Sequence, residues 1–563
     1  MSAVKVQVLE AETGSATRPH LQALLFGCLL RCYRRERNIL RCEAHMWRSL
    51  HKRAQQRARR LKSEVEPLQQ RIRQLENEVE ALQARVGELQ SERFGPQSER
   101  CPFREEADAR PDPDPARRRR GQQKGAPGHS RTPLPELPVR EQEVDLGEAD
   151  KRCPGCGEPL ASFPGCEQSE VIEVEVQAYR RCIRRPRYRP QCRCRQLPGI
   201  VTAPPPGRLI PHGKLGVSVW AQILLDKYLY LRPTQRLLQQ WADCGLRLSP
   251  GTVAGGLPRL LPLFEPLCEA IREHQLSQGQ WHADETSWRV FSPHPGRCGR
   301  YWALWVFCSE STAYFLIRPS RATEVAQAHF GPACGWLVCD RYTVYKKLAK
   351  AGRIRLAHCW AHMRRDFLRV AAGRPRQRGW AEAWVERIGQ AYRLNNRRVQ
   401  AFQQPGRRGF ATRDRQLRQA LAGIRREAAR QLGKPSLPAA CRKVLESLQG
   451  HWATLSVFAD HPQIPMDNNA AERALRGPVV GRKNFYGSGS RRSARLAAAL
   501  FTVLHTVRLG GLNPRSWLLA YLHDCAGRGG QPPPDLSPFL PWQMGPQQKA
   551  RLQKPCPGRR GHP

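Results

Sequence analysis

Asp284 sits at the end of the apolar run in GQWHADETSW, Asp340 at the end of the run in GWLVCDRYTVY, and Glu472 inside the helical pattern MDNNAAERALR. Two acids closing strands and a third on a later helix can cage two divalent metal ions. A bridging carboxylate holds such ions about 3.5–4 Å apart, so that one activates an attacking oxygen and the other steadies the leaving oxygen of a phosphodiester. Taken singly each acid is weak evidence, since an Asp at a strand end more often serves a turn or a cap. Glu285 and Asp467 compete for the same roles. Lys and Arg outnumber Asp and Glu by 93 to 49, a net charge of +44, so the expected phosphodiester is DNA.

The elements that must position these acids follow from the patterning. GQWHADETSWRVF, YWALWVFC and TAYFLIRP are three consecutive β-type runs, followed by a short helix around TEVAQAHF and a further strand, GWLVCD. Strand, strand, strand, helix, strand is the order of an RNase H-like core, in which the first and fourth strands lie side by side at the sheet centre. Asp284 and Asp340 then face one cleft, and a carboxylate from a later helix completes it. The 132 residues from Asp340 to Glu472 include helical stretches such as GWAEAWVERIGQAYRLNN and RDRQLRQALAGIRREAARQL.

At 563 residues the chain has room for several cores. Its pI of about 10.5 suits a polyanionic partner. No apolar run reaches the roughly 18 residues of a spanning helix. LQALLFGCLL at 21–30 is too short and is followed by RCYRRERN, unlike a cleavage site. The expectation is a soluble, cytoplasmic protein with no membrane partner. Twenty cysteines scattered over this length read as reduced thiols rather than a disulfide scaffold.

Residues 1–60 have a basic helical pattern. Over 61–94 a heptad places Val65, Ile72, Val79 and Val86 at one core position and Leu61, Leu68, Leu75, Leu82 and Leu89 at the other, the signature of a parallel two-stranded coiled coil and hence a homodimer. Arg71 would face Glu76 of a second copy, and Pro67 delays the start of the zipper. A single amphipathic helix packing on its own domain is the alternative. Residues 95–140 are a Pro/Gly/Arg/Gln-rich linker, expected to be disordered, whose Arg117, Arg118, Arg119 and Arg120 suit phosphates or a minor groove.

Residues 141–200 hold Cys153-Pro-Gly-Cys156 and Cys192-Arg-Cys194 within strand-like stretches, which predicts a zinc ribbon with one structural Zn²⁺. The second pair is tighter than a usual knuckle, and Cys182 or Cys166 can replace one ligand. Residues 201–275 read as helical. There PTQRLLQQWADCGLRLSPGTVAGGLPRL resembles a helix-turn-helix, with Ser249 as N-cap and Pro250 at the first helical position. Plain helical packing explains the same pattern, because the second helix has few residues suited to reading bases. The remaining divisions are a catalytic domain over 276–370 and 461–525, the insertion 371–460 and a tail 526–563.

Further residues invite roles. His358, Cys359 and His362 in HCWAHMRRDF have ligand-like spacing on a helix, where i and i+4 share a face; the readings are a second metal, or His358 or His362 hydrogen-bonding in the cleft. Arg364 and Arg365 can clamp a phosphate. Arg482, Lys483 and Asn484 precede a glycine-serine turn whose N–H groups can approach DNA. Asn468 and Asn469 can cap or orient the helix of Glu472 and reach toward DNA.

HADETSW, VCDRYTVYKKL, HCWAHMRRDF and MDNNAAERALRGPVVGRKNFYGSGS together closely resemble the transposases of the insertion sequence 66 family. The resemblance runs upstream through VTAPPPGRLIPHGKLGVSVW, CPGCGEPL and SERFGPQSER and downstream to LNPRSWLLAYL and SPFLPW, about residues 60–542. It implies that Asp284, Asp340 and Glu472 are the family's DDE triad, binding two Mg²⁺ (or Mn²⁺). It further implies double-stranded DNA partners, the transposon terminal repeats and the target, and accessory transposition proteins encoded nearby. The expected fold is multidomain α+β: coiled coil, zinc ribbon, helical domain and an RNase H-like α/β catalytic domain with a helical insertion. The expected function is DNA strand cleavage and strand transfer. The alternatives are a metal-dependent nuclease without strand transfer, or an inactive zinc-ribbon DNA-binding protein.

Overall fold

Alternating apolar residues along 280–289 build the strand around which the rest is arranged. The computed structural model describes residues 200–292, 301–350 and 352–554, with 178–188, 154–159 and a few isolated positions. The chain divides into two units, 1–100 and 101–563. In the first, Val79, Leu82 and Val86 are helical and exposed, and the remaining heptad positions lie outside the described residues. So do the linker with Arg117 to Arg120, and Cys153, Cys166, Cys192 and Cys194. Cys156 is exposed in a turn that ends on Gly157, whose φ of 76° fits the tight turn of a knuckle.

In the second unit β1 (Arg187–Tyr188) pairs antiparallel with β2 (Val201–Thr202). Helices α1 (Val217–Tyr228), α2 (Thr234–Asp243), α3 (Pro250–Gly256) and α4 (Leu261–Ser277) follow. Ser249 caps α3 as expected, its hydroxyl accepting the Gly251 N–H, with Pro250 behind it and Gly245 turning the chain at φ 83°. The exposed face of α3 carries Gly251, Thr252, Ala254 and Gly255, which offer little to a base edge. Rather than forming a separate domain, α1 to α4 share one hydrophobic core with the sheet below.

That sheet comprises β3 (Gln280–Arg289), β4 (Tyr301–Cys308), β5 (Ala313–Arg318), β6 (Gly335–Cys339) and β7 (Ile354–His358), in the order β5-β4-β3-β6-β7. β4 runs antiparallel to β3 and β5, while β3, β6 and β7 are parallel. This is the order expected of an RNase H-like core, with the first and fourth core strands adjacent. Crossover helices α5 (Thr323–Phe330) and α6 (Thr343–Lys350) cover one face, packing Phe330 and Tyr345 against Trp281, Ala283 and Trp305.

After β7 comes α7 (Trp360–Gly373), then α8 (Arg378–Gln403), α9 (Phe410–Leu432) and α10 (Ala439–Gly450), with two short turns of helix, α11 (Trp452–Leu455) and α12 (Val457–Asp460). Their apolar stripes bury Phe367, Trp384, Leu417 and Leu445 in a core of their own, so the expected insertion folds as a helical bundle seated on α7. Arg398 is buried there, held by Asp414 and by the carbonyls of Phe458 and Ala459.

α13 (Asn469–Phe485) and α14 (Arg491–Leu509) return to the opposite face of the sheet, followed by α15 (Pro514–Gly527) and α16 (Pro546–Gln553). Residues 527–554, expected as part of a tail, pack on this core: Phe539, Leu540 and Leu552 are buried, and the Trp517 indole donates to the Phe539 carbonyl at 2.9 Å. Among the described residues no helix is long and apolar enough to cross a membrane.

Candidate active site

Side chains alternate along a strand, so the register decides which acids can meet. His282 of β3 pairs with Val338 of β6, and two further residues along the same parallel register bring Asp284 level with Asp340. β6 ends at Cys339. Asp284 therefore lies within β3, opposite Val306 of β4, at the point where its other neighbour stops, rather than at the end of its own strand. Asp340 closes β6 as expected, its carboxylate accepting the Tyr342 N–H at 2.9 Å.

The same alternation separates the competitors. Ala283 faces the core beneath α5 and α6. Glu285 shares that face, where the Tyr345 hydroxyl donates to its carboxylate at 2.7 Å. Asp284 points to the other face, on which α13 packs through Ala471, Ala474 and Leu475. Asp467 accepts the Asn469 N–H at 3.2 Å and so helps start α13. Glu472 lies in the first turn of that helix, its side chain 18% exposed.

The charges of Asp340 and Glu472 are both felt at Asp284. The Asp284 carboxyl is pushed up to about 8, first by burial, then by the negative charges of Glu285, Asp340 and Glu472. Burial likewise raises Asp340 and Glu285. Carboxylates crowded in this way repel one another until a cation joins them. An all-oxygen donor set of this kind suits Mg²⁺ or Mn²⁺.

Asn468 ties the site together. It is fully buried, so it orients α13 as expected but does not reach DNA. Its Nδ2 donates to the Ala283 carbonyl at 2.7 Å, its Oδ1 meets His282 Nδ1 at 3.2 Å, and its backbone N–H donates to Cys359 Sγ at 3.2 Å. Sequence reasoning missed this clamp.

His358, Cys359 and His362 do not share a helix. His358 ends β7, Cys359 is the N-cap of α7, and His362 lies in its first turn. His358 is buried, bonds Thr454 and is lowered to about 3 by burial and the neighbouring His451. Cys359 and His362 instead approach Glu472. His362 Nε2 is 3.8 Å from Glu472 Oε1, but burial and nearby arginines lower the imidazole to about 4, so this contact is not an ion pair near neutral pH. Arg365 reaches within 4.0 Å of Glu472, and Arg364 is half-buried beside it in sequence. Arg341, next to Asp340, bonds Asp366 and Ser447, joining the end of β6 to α7 and the insertion.

The basic residues after Glu472 divide. The Arg482 guanidinium bonds Thr286 and Ser287 of β3, which ties it to the strand of Asp284 instead of offering it outward. Asn484 donates to the Leu231 carbonyl at 2.9 Å, and Lys483 is exposed. The N–H groups of the glycine-serine turn are mostly committed: Gly487 to Phe485, Ser488 to Arg289 and Ser490 to Ser493. Gly487 has φ 143°, and a Cβ there would lie 2.2 Å from the Arg289 oxygen, so the turn is built to dock on β3.

Sheet order and the placement of Asp284 and Asp340 give a mixed α/β protein with acids at the centre of its sheet. The chain belongs to the transposase IS66 family, whose model matches residues 212–496. It is 26% identical over 436 residues to the uncharacterized protein y4hP of Sinorhizobium fredii, covering 73% of this chain and 76% of that one. The uncharacterized protein y4jD of the same organism is 28% identical over 427 residues, covering 71% and 79%.

Proposed function

We propose that this chain is a DNA transposase that cleaves strands at transposon ends and joins them to target DNA, with Asp284, Asp340 and Glu472 as its metal ligands. One observation carries the reading: two acids in register on adjacent parallel strands face the helix that bears the third, within electrostatic range of it. Membership of the transposase IS66 family supports it. Two Mg²⁺ or Mn²⁺ ions held by these carboxylates would acidify the attacking oxygen and neutralise charge on the leaving one.

The chain's own residues would position the reactants. Asn468 fixes α13 against β3, so Glu472 is held relative to Asp284. Arg365, within 4.0 Å of Glu472, and its sequence neighbour Arg364, both on α7, suit non-bridging phosphate oxygens. In cleavage a water oxygen bonds to phosphorus and gives up a proton to solvent, while the bond to the 3′-oxygen breaks and that oxygen takes up a proton to become a 3′-hydroxyl. In strand transfer the freed 3′-hydroxyl is the nucleophile in the same displacement.

Zn²⁺ on Cys153, Cys156, Cys192 and Cys194, dimerisation through 61–94, and phosphate contacts from Arg117 to Arg120 and Lys483 complete the reading. The test is to incubate full-length protein with the DNA flanking its own gene and a target plasmid, with and without Mg²⁺. Joined products in Mg²⁺ alone are expected. Cleavage without joining would make the protein a nuclease, and DNA binding without cleavage would leave it a binding protein.

A further inference from the structure

We propose that Cys359, His362 and Glu472 form a binding site for a thiophilic divalent cation, zinc foremost, distinct in donor chemistry from the all-oxygen set of Asp284 and Asp340. One ligand atom from each of the three residues lies within 4.8 Å of the other two. The site shares only Glu472 with the transposase reading, and its binding chemistry stands apart from turnover.

Local structure prepares these donors. Cys359 is the N-cap of α7 and His362 stands in its first turn, so Cys-x-x-His wraps the start of a helix, and burial pushes the free Cys359 thiol up to about 12. The sulfur is fully buried and accepts the Asn468 N–H, the kind of outer contact that supports a metal thiolate. His362 Nε2 stands 3.8 Å from Glu472 Oε1, little more than two donors on one tetrahedral zinc with bonds of about 2.0–2.2 Å.

Donor type selects the cation. Mg²⁺ would take Glu472 but not a thiol, whereas zinc accepts sulfur, nitrogen and oxygen together and leaves a fourth position to water. Binding releases the thiol proton to solvent. Because the same carboxylate is drawn into both sites, zinc at this one removes a ligand from the other, and zinc inhibits cleavage supported by Mg²⁺.

The experiment is titration of the full-length protein with Co²⁺, whose thiolate complexes absorb strongly in the near ultraviolet. The upstream cysteine pairs are expected to bind as well, so wild type is compared with Cys359→Ser, His362→Gln and Asp284→Asn, each checked for fold by circular dichroism. The expected result is the loss of one thiolate-bound Co²⁺, read from the near-ultraviolet band, in Cys359→Ser and in His362→Gln, but not in Asp284→Asn, whose carboxylate binds cations without sulfur. If Cys359→Ser fails to fold, His362→Gln decides, its side chain being partly exposed. An unchanged thiolate band in His362→Gln would overturn the proposal, as would loss of that band in Asp284→Asn. Since the readout counts bound metal, an inactive protein that still loses its equivalent would refute the transposase reading and leave this site standing.

Discussion

The side-chain amide of Asn468 donates to the carbonyl of Ala283 at 2.7 Å, one residue before Asp284 and four before Glu472. Two catalytic candidates far apart in sequence are thus held by one hydrogen bond between a helix start and a strand. Asn468→Ala would leave the Ala283 carbonyl and His282 without that partner in a buried setting, which costs about 1–3 kcal/mol. Denaturant unfolding should show that loss, and cleavage should fall further than DNA binding does.

Asp284→Asn should remove a metal ligand while keeping the shape of the side chain. Several kcal/mol of transition-state stabilisation correspond to roughly a thousandfold or more in rate. Glu285→Gln, on the opposite face with Tyr345, should keep most activity. A gel-based cleavage assay with both variants, alongside an end-binding assay, checks the assignment; an active Asp284→Asn would sink it.

The raised Asp284 carboxyl makes stability depend on pH. It ionises at about 8 in the folded protein, against about 3.9 for a free Asp, so the unfolded chain gives up that proton first. Stability from this group is full below about pH 4 and falls as pH rises toward about 8. Metal-free wild type should therefore lose melting temperature relative to Asp284→Asn over that window, and Mg²⁺ should recover more of it at the alkaline end. Parallel melting curves for the two proteins would contradict this.

Arg482 and Lys483 should behave as opposites. Arg482→Ala removes a guanidinium bonded to Thr286 and Ser287 and should lower stability with no specific change in salt dependence. Lys483→Ala, exposed, should leave stability within about 0.5 kcal/mol and reduce the slope of log K against log salt by about 1 if it meets a phosphate. Binding isotherms at several salt concentrations separate the two.

Much of the sheet was legible because alternation and strand order are local signals. Trp281 and Ala283 against His282 and Asp284 already divide the two faces, and the run of strands implies that β3 and β6 meet. Taken strictly, the same alternation excludes Glu285 from the face of Asp284. The strand β7 went unread, although IRLAH alternates, and its loss put His358 on a helix it does not join. What had no local signature was side-chain pairing across long separations. Asn468 with Ala283, Cys359 with Glu472 and Arg482 with Ser287 depend on tertiary packing that composition and periodicity do not encode. The residues after 526 misled for a different reason: a Pro-rich stretch reads as a tail until Phe539 and Leu552 are seen to fill a core.

That last packing also sets an order of events during synthesis. The strand bearing Asp284 leaves the ribosome long before Leu552, yet it shares one core with Phe539 and Leu552. The finished cleft must therefore wait for nearly the whole described chain to emerge. A gene copy broken ahead of that segment would yield a product with an open apolar surface, a ready target for proteases, and so would be unable to act as a partly working competitor of the intact protein.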